Sequence, residues 1–241
     1  MRGQSNVVGV ALLLGVTVVA LGTLTASVGV VVERNAASAD AARVAADFEG
    51  ALAPVETTGR NRGRVSFTDG RLRTVERELR VLNESGVVSE IQVDALTFTS
   101  GRHRVTFLSG TVVSGHDGTS RLHRPPPITA SEDGDGGVLV VGAAVLNASE
   151  VAVSGIASDG VLLRTTVSHE RTALGNDTYR VAIETRDSGV WSDYFRRQGA
   201  TVEAADRDFD DDGVDSVVAR FPGDRTGYVV VHDMRLEVDR G

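Results

Sequence analysis

The hydrophobic and polar positions of this chain fall into two regimes. From Gly3 to Val32 no residue is charged, and the stretch from Val7 to Val32 reads VVGVALLLGVTVVALGTLTASVGVVV. As a helix that run is apolar on every face, unlike the one-sided stripe of a helix on a soluble globule. Its 26 residues would extend about 39 Å at ~1.5 Å per residue, more than the ~30 Å hydrocarbon core of a bilayer. The run passes without a Pro into Glu33–Ala53, where Val44, Phe48 and Leu52 recur at every fourth position beside Ala41, Ala45 and Ala51. This spacing predicts one helix from about Asn6 to about Ala53, its first half suited to lipid and its second half amphipathic. A secretory signal has a shorter apolar stretch and a small-residue cleavage site behind it. The helix is therefore expected to stay on the protein.

After Pro54 the pattern changes to short alternating runs between turn signals, the mark of half-buried strands. Arg64–Phe67, a Thr68-Asp69-Gly70 turn and Arg71–Val75 suggest a hairpin. Further strands are expected at Arg80–Leu82, Ile91–Thr99, Arg104–Phe107 and Thr111–Val113, with turns at Ser100-Gly101 and Ser109-Gly110. The stiff His123–Pro127 segment and the acidic, Gly-rich Ser131–Gly137 segment together suggest a boundary between two lobes. Beyond it, strands are expected at Val138–Val141, Val151–Ser154, Val161–Val167, Tyr179–Glu184, Ala200–Ala204, Ser216–Arg220 and Tyr228–Val238. Ser188–Gln198 reads as a helix with Val190, Trp191, Tyr194 and Phe195 on its apolar face and Gly199 at its C-cap. The expected fold class is α+β: a long N-terminal helix, then a mostly antiparallel β region in two lobes with one short helix near 188–198. The expected divisions are a possible leader 1–3, a transmembrane and stalk helix 4–53, a first lobe 54–130, a flexible linker 131–137 and a second lobe 138–241.

Composition narrows the function classes. The net charge of −8 argues against nucleic acid, which needs a basic footprint. There is no Cys, which excludes disulfides, thiolate metal sites and a Cys nucleophile. There is no Lys either: all 25 basic residues are Arg, and Asp outnumbers Glu by 20 to 13. Such a surface resembles the proteins of salt-loving archaea, although a GC-rich genome also favours Arg. Catalytic patterns are absent. The five histidines form no H-E-x-x-H, and there is no G-x-S-x-G or P-loop; no enzyme activity is expected.

Two patterns carry possible chemistry. Asp208, Asp210, Asp212 and Gly213 match the D-x-D-x-D-G opening of a calcium loop, with the Val214 carbonyl as a further donor. Ala219 stands where an EF-hand has its bidentate Glu. The readings are a minimal Ca²⁺ site or a solvated acidic turn. Within the apolar run, Ala11, Gly15, Gly22, Ala26 and Gly29 fall within about 60° of one another at 100° per residue. A strip of small residues lets helix backbones approach closely in lipid. Asn83, Asn147 and Asn176 each open an N-x-Ser/Thr sequon, the glycosylation acceptor of exported chains.

The opening Arg2-Gly3-Gln4-Ser5-Asn6-Val7-Val8-Gly9-Val10 resembles the start of archaeal type IV pilins, especially haloarchaeal ones. Ser5-Asn6 stands where that family commonly has Ser-Pro, and Val8 where bacterial pilins carry an acidic residue. The resemblance covers about the first 50 residues. It implies cleavage by a prepilin peptidase between Gly3 and Gln4, and packing of the helix against other pilin-like subunits or in the bilayer. Arg2 on one flank, with Glu33 and Arg34 on the other, predicts a cytoplasmic N-terminus and an external C-terminal region. The expected function is a membrane-anchored, externally displayed subunit with a structural or adhesive role. The alternative is a single-pass envelope protein whose β-rich region binds a ligand or partner.

Overall fold

The computed structural model describes residues 4–52, 55–116, 118–131, 136–149 and 151–240. Helix α1 (Gln4–Leu52) is continuous across both halves of the predicted segment. It is followed by β1 (Gly59–Val75), β2 (Glu78–Asn83), β3 (Gly86–Gln92), β4 (Ala95–Ser100), β5 (His103–Leu108), β6 (Thr111–His116), β7 (Thr119–Arg124) and β8 (Ile128–Ala130). Then come β9 (Gly137–Val145), β10 (Ala152–Asp177), β11 (Arg180–Glu184), α2 (Ser188–Arg197), β12 (Thr201–Arg207), β13 (Ser216–Arg220), β14 (Arg225–Asp233) and β15 (Glu237–Arg240). The fold is α+β, and the ladders among the described residues are antiparallel except β9 with β14.

Three layers result. A first sheet runs β7-β6-β5-β4-β1-β10-β14-β9-β8, with β15 also on β10; a second runs β12-β13-β11-β2-β3. The C-terminal half of α1 lies on one face of the first sheet. There Val44, Phe48 and Leu52 join Phe67, Leu72, Phe98, Val105 and Phe107 in one core. The approach is close: a Cβ on Gly63 of β1 would stand 2.4 Å from the Ala51 Cβ. The other face of the first sheet gives Ala95, Leu108 and Val141 to a second core with Leu79, Val181 and Ile183 of the second sheet and Trp191 and Phe195 of α2. Alternation along each strand supplies both cores.

The expected separation into lobes 54–130 and 138–241 does not match the sheets. Strand β1 pairs with β10, β2 with β11 and β8 with β9, so both sheets draw strands from both halves. The segment 131–137, expected as a linker, joins two paired strands; Ser131 and Val138 exchange hydrogen bonds of 2.9 Å, and residues 132–135 lie outside the described residues. A Gly-rich acidic stretch suits a hairpin turn as well as a linker, and only the pairing of its flanks separates the two.

The expected hairpin at 68–70 is also absent. Strand β1 runs through it, paired with β10 on both sides (Val65↔Val161, Arg71↔Ser154) and bulged between Phe67 and Gly70. The amides of Thr68 and Asp69 turn to the buried carboxylate of Asp40 on α1, at 2.9 and 3.2 Å. Gly70 is needed there because a Cβ would strike the Phe98 ring at 2.4 Å. Two expected strands are instead interrupted: Ile91–Thr99 at Asp94, whose φ is +44°, and Tyr228–Val238 at Met234–Leu236. Conversely, the separate runs Val151–Ser154 and Val161–Val167 belong to the single long β10.

Candidate functional site

The N-terminal half of α1 presents a long apolar surface. Its large apolar side chains from Val10 to Val32 are all exposed, with Leu13 at 69 % and Val18 at 68 %. It is the one described helix long and apolar enough to cross a membrane. Four of its hydroxyls are satisfied internally: Thr17, Thr25 and Ser27 donate to the carbonyls of Leu13, Leu21 and Thr23 at 2.7, 2.9 and 2.8 Å, and Thr23 to that of Ala20 at 2.9 Å. Hydrocarbon would leave any unmet hydroxyl costly, so this arrangement suits lipid. Ala11, Gly15, Gly22 and Gly29 lie on the helix as predicted, and a Cβ on any of these glycines would meet nothing within 4 Å. Ala26 is helical, but its side chain is outside the description. Gly3 lies outside the described residues; Gln4 begins the helix.

The acidic loop does gather its carboxylates: Asp208, Asp210 and Asp212 bring oxygens within 4.8 Å of one another. Each has protein partners, however. Asp208 accepts from the amides of Asp211 and Gly213, both at 2.9 Å, and Asp212 from Val214 at 2.7 Å. Desolvation opposes ionisation of Asp208, but the amides of Gly213, Asp210, Asp211 and Asp212 outweigh it and hold its carboxyl below the usual carboxylate range. Asp210 points to the Arg80 guanidinium at 3.1 Å. Arg80 is buried and also meets Glu90 at 2.6 Å, Glu184 at 2.5 Å and Glu78. Burial pulls its pKa down, but the hydrogen bonds to Glu90 and Glu184 prevail and fix its charge. The Phe209 ring centroid lies 5.0 Å from it. A protein cation thus already sits beside the acidic loop.

Among the sequon residues, Asn176 is exposed on β10 and Asn147 is exposed with its amide donating to Asp233 at 3.1 Å. Asn83 is half-buried, and its amide nitrogen donates to Asp177 at 2.8 Å. The histidines, scattered in sequence, meet across strands. His169 and His232 approach at 2.9 Å between Nδ1 atoms, and the rings of His103 and His116 stack at 4.2 Å. His123 lies between Ser114, at 2.8 Å, and Glu49 of α1, at 3.4 Å. Burial holds the His123 and His232 pKa values below the usual histidine range.

A cluster of arginines distant in sequence forms a further site. Arg73, Arg77, Arg102, Arg104 and Arg186 line a cleft of about 230 Å³ on the first sheet's second face, beside the β11–α2 connection. Burial, and after it the charge of Arg186, hold the Arg77 guanidinium below the usual arginine range. Arg73 lies on β1 and Arg104 on β5, while Arg77, Arg102 and Arg186 lie in connections, so no strand alternation in the sequence marks them as a group. What brings them together is the pairing of β1 with β4 and of β4 with β5.

Compared with known proteins, residues 2–237 match a family described as a family of unknown function (DUF7289). No curated protein and no solved structure matches the chain.

Proposed function

We propose that this chain, which belongs to the DUF7289 family, is a membrane-held, externally displayed type IV pilin-like subunit. One observation carries the reading. A single 49-residue helix has an exposed apolar N-terminal half and a C-terminal half buried against the first sheet. That construction lets one element serve as anchor at one end and core helix at the other. The exposed half can then rest in a bilayer or pack against copies of itself, and the small residues Ala11, Gly15, Gly22 and Gly29 favour close backbone approach. Arg2 before the run, against Glu33 with Arg34 after it, supports an internal N-terminus and an external β region. In this reading the prepilin peptidase removes Met1–Gly3 and leaves Gln4 as the mature N-terminus.

Intact-mass measurement on the native membrane protein tests it. The expected product begins at Gln4 and is lost from cells lacking the peptidase. A mature chain that keeps Met1–Gly3 would count against pilin-type processing and favour a plain single-pass envelope protein. Disulfide trapping of a Cys placed at Gly15 or Gly22 tests assembly, with the same Cys at Leu13 as control.

A further inference from the structure

The cleft on the first sheet's second face has a charge opposite to that of the protein. The chain carries 33 carboxylates and a net charge of −8, yet among the described residues five arginines and one carboxylate, Asp187, line this cleft. Asp187 is already committed, accepting from Arg104 at 2.7 Å and from the Ser120 hydroxyl at 2.6 Å. Arg73 and Arg186 are exposed and make no ion pair or side-chain hydrogen bond with any described residue. Arg77 is only 8 % exposed, and its guanidinium donates to the Glu76 carbonyl alone among the described residues. Guanidiniums gathered this way repel one another, and a bound anion relieves that repulsion through paired charge-assisted hydrogen bonds.

The remaining lining narrows the ligand. Thr97, Thr99 and Thr106 offer hydroxyls beside the arginines, and Ala95, Val75 and Leu108 supply a small apolar patch. Hydroxyls next to a modest apolar surface suit a polyhydroxylated ring better than a bare ion. The volume of about 230 Å³ is below the usual range for larger ligands and suits a single ring. The net charge of −8 disfavours an extended polyanion such as nucleic acid.

We propose that this cleft binds the acid group of a carbohydrate, a carboxylate or sulfate carried on one sugar ring. Arg77 and Arg186 would grip the acid group, Arg73 would flank it, and the threonines would meet the ring hydroxyls. The proposal is independent of how α1 is used.

Isothermal titration of the full chain, held in a detergent without a sugar headgroup, tests it at constant ionic strength. The probes are sodium glucuronate, glucose 6-sulfate, inorganic sulfate and glucose. At least one acidic sugar should bind, and Arg186→Gln and Arg73→Gln, both at exposed positions, should each weaken it by about tenfold. Arg77→Gln should abolish binding where thermal melting shows the variant folded, and Arg196→Gln on α2 should change nothing. The proposal is overturned if neither acidic sugar binds, or if the Arg186 and Arg73 variants bind like the parent. It is equally overturned if glucose or inorganic sulfate binds as tightly as the sugar acids.

Discussion

Arg80 shows how a single residue can hold together parts of the chain that are far apart in sequence. It sits on β2, opposite Glu90 of β3 and beside Glu184 of β11, and it also reaches Asp210 in the acidic loop. Buried ion pairs are costly to form but costlier to break from one side. Arg80→Met should therefore destabilise the protein by about 3–5 kcal/mol in urea titrations near neutral pH. That deficit should shrink when Glu184→Gln is added to Arg80→Met, since no buried charge is then left unpaired; a deficit unchanged by the second substitution would refute the electrostatic account. Tyr194 gives a pH titration. Its hydroxyl donates to the carbonyls of Ile128 and, at 3.2 Å, Pro126, and burial pushes its pKa up to about 12. A raised acid favours the folded state while protonated, so its contribution is complete below about pH 10, the unfolded value. It is lost as pH rises through the folded value. The urea midpoint should thus fall more steeply between about pH 9.5 and 11.5 in the parent than in Tyr194→Phe, once the other groups' common slope is removed.

At the scale of elements, the join between α1 and β1 decides how the helix is held. Asp40 receives two backbone amides and the Thr68 hydroxyl from the β1 bulge, and Asp47 receives the Ser66 amide at 3.1 Å. Asp40→Ala would remove the charged acceptor of these hydrogen bonds and should cost about 1–3 kcal/mol, measured as a lower thermal midpoint; an unchanged midpoint would mean the bulge stands without the helix. This junction also marks the limit of what can be read in the sequence. Val44, Phe48 and Leu52 announced a helix with one buried face, and they are buried on the first sheet. Ser188–Gln198 announced α2 through Trp191 and Phe195. Thr68-Asp69-Gly70 announced a reversal that did not occur, because its amides answer a carboxylate some thirty residues earlier. Local turn chemistry does not distinguish a bulge from a hairpin when the deciding acceptor lies on another element. The arginine cleft was hidden for the same reason: its members come from β1, β4, β5 and the β11–α2 connection.

For the molecule as a whole, the interleaving of strands from residues 59–130 and 137–240 in both sheets makes the β region one cooperative unit. Trp191 fluorescence and far-ultraviolet circular dichroism should report one coincident unfolding transition, and residues 54–130 or 138–241 produced alone should not fold. Two separated transitions would restore the two-lobe description. Helix α1 adds a different constraint, because no break divides its exposed half from its sheet-bound half. The bearing of the β region around the helix axis is therefore locked to the bearing of the Gly15–Gly22 strip. One residue inserted after Arg34 would swing one against the other by about 100° and lift it by about 1.5 Å, whereas seven would nearly restore the bearing and lift it by about 10 Å. If neighbouring copies read direction, assembly measured by sedimentation should fail with one inserted residue and return with seven. If the helix is only a tether, both insertions should behave like the parent.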